Sequence, residues 1–315
     1  MAAEKSDLSL SQQRDRFVAF AFAASDILFE VNLDGNLTYA TGGLQSLLQQ
    51  DEGALLGSPL SALALEEDSI VIEELLSRIA LTGRVRDVAV RLAGASGAQV
   101  QVMVCGMKCP YEDGIVHLAV RRAPLSNAGA AVGAADSPVS KEQFKEQVAH
   151  YAEAAREAQE TKNLTLYDFS DMTDDSGMDE PDKASMVGRL EKCLGAWSSG
   201  GTPAGKLDDG KYGVVLDADA NADALGSRLG TIIADGDMSN WSPVAHASLD
   251  ISDPVEVDRF EDALDFAIDG FLEEGPGRKE LLSFAKCVEA LERQEEMDRA
   301  AQRRPRREGF KEGWG

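Results

Sequence analysis

Apolar positions change their spacing several times along this chain, and each change marks an element. Phe17, Phe20 and Ala24 recur at helical spacing and predict a helix over 9–24, with Ser11 as its cap. Residues 26–33 alternate as a strand, Asp34-Gly35 supplies a hairpin turn, and 36–40 return. Leu44, Leu47 and Leu48 then fall on one helical face, and Gly53, Gly57 and Pro59 punctuate short turns. Ile70, Val71, Leu75 and Ile79 form the stripe of a longer helix over 66–81 that stops at Gly83. Three alternating runs follow, over 85–92, 99–109 and 115–120, parted by turns at 94–97 and 112–114. Val100, Val102 and Val104 of the middle run are expected to face inward.

Residues 123–139 are mostly Ala, Gly, Ser, Pro and Asn, the composition of a flexible linker. Ser140 and Gln143 have the spacing of a capping box, and Phe144, Val148, Tyr151 and Ala155 lie on one stripe of the helix behind it, which runs to about Lys162. Such a stripe suits pairing across a dimer, and it suits packing against its own domain equally well. A short strand over 164–169, an acidic stretch over 171–182 and a helix over 183–197 come next. Residues 204–207 and 212–216 read as a hairpin around Asp208-Asp209-Gly210. A helix over 220–234, a strand over 244–251 and a helix over 255–273 complete the series.

The chain has 315 residues, enough for two domains at roughly 150 residues each. Its net charge of -24 opposes nucleic acid and anionic membrane surfaces, and the only dense basic run is Arg303-Arg304-Pro305-Arg306-Arg307. The apolar stretch 17–24 is far short of the roughly 20 residues of a bilayer span, and the N-terminus lacks the cationic start of a signal peptide, so a cytoplasmic protein is expected. Cys105, Cys109, Cys193 and Cys287 do not have the spacing of a zinc site and read as reduced thiols in or near cores. The stretch containing Asp171, Asp174, Asp175, Asp179, Glu180 and Asp182 lacks the closing glutamate of an EF-hand loop and reads as solvated.

Asp26-Ile27-Leu28-Phe29-Glu30-Val31-Asn32-Leu33-Asp34-Gly35, then Leu37-Thr38-Tyr39-Ala40-Thr41, then Leu55-Leu56-Gly57-Ser58-Pro59-Leu60 resemble the first hairpin and a helix-ending turn of PAS domains. That resemblance covers residues 12–123 and implies a five-stranded antiparallel sheet with flanking helices, wrapped around a pocket. Tyr39, Ile115 and His117 are the candidate pocket residues, with Ile115, His117 and Ala119 pointing the same way. Haem would need a histidine on the long helix, and residues 66–82 hold none; a flavin-adduct photosensor would need a cysteine over 44–82, where there is none. No cofactor is expected. His150 reads as solvated and His246 as structural.

The segment 205–216, Gly-Lys-Leu-Asp-Asp-Gly-Lys-Tyr-Gly-Val-Val-Leu, resembles the Arg-Leu-Gly-Gly-Asp-Glu-Phe hairpin of GGDEF domains. The resemblance covers 163–274 and implies a GGDEF-like α/β sandwich, giving an α+β chain overall. Leu207, the aromatic Tyr212 and the strand 214–216 are kept, while Asp208 and Asp209 replace the glycines and Gly210 and Lys211 replace the two acidic positions. Condensing GTP needs carboxylates to hold magnesium and glycines that admit phosphate. Asp168 matches a strand acid and stands without its partner. The resemblance therefore implies a catalytically inactive domain that holds no metal and binds GTP poorly.

The organisation expected is a PAS-like sensor (12–123), a linker (124–139), a connecting helix (140–162), a degenerate GGDEF-like domain (163–274) and a helical segment with a charged tail (275–315). Degenerate GGDEF domains of this kind often precede an EAL phosphodiesterase domain, and residues 259–272 and 279–296 look like the lead into one. No Glu-Ala-Leu motif and no barrel are expected here. Three functions are in view: a non-catalytic regulator in cyclic di-GMP signalling that forms a homodimer and meets other proteins of such pathways, the truncated front of an EAL phosphodiesterase, and an interaction scaffold without a ligand.

Overall fold

The computed structural model describes residues 9–94, 97, 99–123, 137–170, 179–234, 244–252 and 257–302. Helix α1 (Leu10–Ala24) is capped by Ser9 rather than Ser11: the Ser9 hydroxyl accepts from the Gln12 amide and the Gln12 side chain returns the bond. Strands β1 (Ile27–Asn32) and β2 (Leu37–Gly42) form the first hairpin. Short helices α2 (Leu44–Leu48) and α3 (Glu52–Leu55) and two 3-10 turns lead to α4 (Ser69–Thr82), which ends at Gly83 in the left-handed conformation, φ 80°. Strands β3 (Arg84–Ala93), β4 (Gln99–Lys108) and β5 (Ile115–Arg122) complete an antiparallel sheet of order β2-β1-β5-β4-β3.

The first unit is thus the five-stranded antiparallel sheet that was expected, with short helices and α4 over one face. Ile27, Phe29 and Val31 of β1, Val102 and Val104 of β4, and Val116, Leu118 and Val120 of β5 are buried with Leu75 and Ile79 of α4. Packing there is tight: a Cβ on Gly106 would come within 2.5 Å of both Ile79 and Leu118.

After α5 (Lys141–Ala158), a second sheet forms from β6 (Lys162–Asp168), β7 (Gly205–Asp208), β8 (Lys211–Asp217) and β9 (Ala245–Asp250). Its order is β7-β8-β6-β9 with every pairing antiparallel. Helices α6 (Glu180–Trp197) and α7 (Ala222–Ala234) sit in the chain between β6 and β7 and between β8 and β9, giving a split βαββαβ arrangement. Strict alternation divides the two faces. Tyr167, Val214 and Leu216 join α6, α7 and the first core, whereas Leu164, Leu166, Val215 and Leu249 join α5, α8 (Val257–Glu274) and α9 (Phe284–Gln302).

The stripe of α5 is covered by its own chain. Phe144, Val148 and Ala155 are buried, and the Phe144 ring lies over Gly205 and Gly213, where added Cβ atoms would meet it at 2.1 Å and 2.4 Å. Tyr151 is half-buried and its hydroxyl donates to the Ser199 carbonyl at 2.8 Å. Phe144, Val148, Tyr151 and Ala155, put forward as a dimer seam, thus serve the packing of the second unit, and a large aromatic over two glycines is the physical reason. The linker expected at 124–139 lies mostly outside the described residues.

Candidate functional site

The hairpin that carries the GGDEF resemblance sits at one end of the second sheet. Asp209-Gly210 makes its turn between Asp208 and Lys211. Gly210 has φ 70°, and a Cβ there would lie 2.5 Å from the Ser170 Cα, so glycine is required both by conformation and by contact. The Gly210 carbonyl accepts from the Phe169 amide at 2.9 Å, which ties the turn to the end of β6.

Asp168 stands at that end. Its Oδ1 accepts from the Ser170 amide at 3.1 Å and the Ser170 hydroxyl at 2.6 Å, and its Oδ2 lies 3.6 Å from the Lys211 ammonium. Lys211 Nζ also donates at 2.9 Å to the carbonyl of Leu272 in the last turn of α8. An ammonium therefore faces the lone strand carboxylate. Asp208 and Asp209 are exposed; Asp209 pairs with Lys206 at 2.8 Å, and that bond holds its carboxyl below the usual range. A divalent cation needs several oxygen ligands around one point. This corner offers one carboxylate with a lysine against it, so the residues present do not fit magnesium. Among the described residues, no three His, Cys, Asp or Glu side chains gather as a metal site.

Tyr212, in the aromatic position of the motif, is buried. It stacks on Phe169 with centroids 5.0 Å apart and donates to Glu191 Oε1 at 2.7 Å. Burial, with the Glu191 carboxylate second, pushes its hydroxyl far above the ordinary tyrosine range. The hairpin is a packed structural element anchored on α6.

Of the candidate pocket residues of the first unit, Tyr39 and His117 lie on the outer face of the sheet. Glu30 of β1 is registered against Tyr39 on one side and His117 on the other. These three side chains are partly exposed on the outer face of the sheet, away from the core, with His117 Nδ1 3.5 Å from Glu30. Tyr39 and His117 are not interior pocket residues, because the other phase of β5, Val116, Leu118 and Val120, takes the core. Ile115 lines a cleft of about 370 Å³ at the hairpin end of the sheet, with Leu33, Leu76 and Cys109. His117 instead lines an outer groove of about 340 Å³ beside Cys105 and Met107.

Sequence reasoning missed a cluster in that groove. Asp87 sits at a bulge in β3 with φ 48°, accepts from Arg121 at 2.7 Å and from the Cys105 thiol at 3.3 Å. Burial pushes the Cys105 thiol up against the opposing bond to the Asp87 backbone, and the Asp87 carboxylate adds to the rise. Cys109 is also half-buried, and Cys193 and Cys287 are buried. His246 tilts against Tyr167 at 5.4 Å and His150 is exposed. Of the acidic stretch, Asp171, Asp174 and Asp175 lie outside the described residues, while Asp179 caps α6 by accepting from the Asp182 amide at 3.0 Å. The Arg303–Arg307 run also lies outside them. Contrary to expectation, the letters Glu-Ala-Leu do occur, at Glu289-Ala290-Leu291. They fall inside helix α9, where Glu289 is exposed and Leu291 packs on the core between α5, α8 and α9.

Among the described residues no helix is long and apolar enough to cross a membrane. No family model and no curated protein matches the chain. Similar solved structures include the PAS domain of an HTR-like protein from Haloarcula marismortui, 18% identical over 36% of this chain and 94% of that one, TM-score 0.31. A domain of a sensory box sensor histidine kinase/response regulator from Geobacter sulfurreducens is 20% identical over 36% of this chain and 96% of that one, TM-score 0.31. The PAS domain of a protein from Colwellia psychrerythraea is 16% identical over 35% and 96%, TM-score 0.31.

Proposed function

We propose that this chain is a non-catalytic regulatory protein of signal transduction, in which a PAS-like unit receives the signal and a degenerate GGDEF-like unit relays it within cyclic di-GMP pathways. The observation that carries the reading is the Lys211 ammonium set 3.6 Å from Asp168, with Asp208 and Asp209 exposed beside it. A GTP-condensing site would need the opposite arrangement, with acids facing metal and glycines facing phosphate. The βαββαβ order, with the altered motif on the β7–β8 hairpin, supports the same assignment.

Incubation of the purified chain with GTP and magnesium is expected to yield no cyclic di-GMP, and product formation would end this reading. Titration calorimetry is expected to give no micromolar GTP affinity, because the two exposed aspartates repel triphosphate. A homodimer belongs to the same proposal, and a monomer mass in sedimentation would remove that part. The scaffold alternative draws support from the filled interior of the first unit, where aliphatic side chains close around Gly106. A native mass spectrum separates the two: a co-purified small molecule favours the sensor, and bare polypeptide favours the scaffold. The truncation alternative is read from the DNA downstream, where an EAL reading frame would support it.

A further inference from the structure

Two charged residues of α4 face away from the first core. Glu74 is 0% and Arg78 2% exposed, one helical turn apart. A Glu four residues before an Arg on one face ordinarily pairs with it. Here each turns to the second unit instead. Glu74 accepts from Arg228 of α7 at 2.7 Å and from the Trp197 indole at 3.3 Å. Arg78 donates at 3.2 Å to the Ala196 carbonyl and at 3.2 Å to Asp217 at the end of β8. The Asp217 carboxylate is shared with Lys162 at 2.5 Å and Ser199 at 2.8 Å. The seam is close as well as polar: a Cβ on Gly201 would sit 2.7 Å from the Ala89 amide nitrogen of β3.

A charge left in a protein interior without its partner is far more costly than the pair. Neither unit can therefore withdraw by degrees, because separation must expose Glu74, Arg78 and their partners to water together. Helix α6 extends the contact. Trp197 at its C-terminal end meets Glu74, and Glu191 on the same helix holds the Tyr212 hydroxyl of the hairpin.

We propose that α4 is an interdomain latch, by which the state of the PAS-like unit reaches the Tyr212 hairpin through α6. The ion pairs exist whether or not the second unit handles GTP, so the synthase assay and the test of the latch fail independently.

Calorimetry of the unaltered full chain is expected to show one cooperative unfolding transition, and two independent transitions would overturn the proposal. Hydrogen exchange with mass spectrometry on the full-length Arg78→Met and Glu74→Gln chains then reads the route. Exchange is expected to rise about tenfold or more in α4, in α6 and in the β7–β8 hairpin together, with β4 and β5 unchanged. A rise confined to α4, or no rise, would overturn it. The Glu74→Gln/Arg228→Gln double variant is expected to lose less than the sum of its single changes, and strict additivity would likewise count against the latch. Should a variant fail to fold, the count of transitions in the unaltered chain still decides.

Discussion

Helices α1 and α5 begin alike and end differently. Each has a Ser–Gln capping box and an apolar stripe that opens with a phenylalanine. In α5 the stripe is sealed, with Phe144 and Val148 buried. In α1 no residue is buried, and Phe17 and Phe20 are 71% and 62% exposed. A stripe states that a helix has an apolar face; it does not state what covers it. The cover of α5 is written elsewhere, in Gly205 and Gly213, which leave room on the sheet for one aromatic ring. No such receiving surface is present for Phe17 among the described residues.

Substitutions on the two stripes should separate these cases sharply. Val148→Glu places an unpaired carboxylate in the core of the second unit, a cost of several kcal/mol, and is expected to abolish the cooperative thermal transition seen by circular dichroism. Phe144→Ala should cost about 3–5 kcal/mol in denaturant unfolding, since the cavity opens over two glycines that cannot fill it. Gly213→Ala approaches the same contact from the sheet side and should cost about 1–3 kcal/mol through overpacking. Tyr151→Phe removes a single hydroxyl bond to Ser199 and should cost about 1 kcal/mol in the same assay. At the other extreme, Phe17→Ser should leave stability within about 0.5 kcal/mol, because that ring is mostly exposed. A loss at Phe17 comparable to that at Phe144 would show that α1 is covered in solution and erase the contrast.

The elements were legible because local signals are strong. The Asp34-Gly35 and Asp209-Gly210 turns, the stop at Gly83 and the Ser140–Gln143 box each fix one boundary by backbone chemistry. Faces were harder. β5 is apolar in both phases, Ile115 and Ala119 in one and Val116, Leu118 and Val120 in the other, so alternation alone could not say which set meets the core. His117 therefore reads as a pocket residue by alternation, although it lies on the outer face. Glu74 and Arg78 were beyond local reasoning altogether. On a helix they look like a solvated pair, and only α6, α7 and β8, more than a hundred residues onward, bury them. The substituted hairpin was readable because it departs from a motif in a single short segment, whereas the Lys211–Leu272 bond that anchors it depends on the end of a distant helix.

Cys193 gives the boundary between the two units a built-in chemical clock. Its thiol is fully buried on α6, and burial, with Glu74 next, pushes it well above its ordinary value, so it is protonated and shielded at rest. An alkylating reagent can reach this sulfur only when α6 lifts away from its surroundings. The rate of its capture, compared with that of half-buried Cys109, therefore counts those excursions in time, with no residue of the chain altered beforehand.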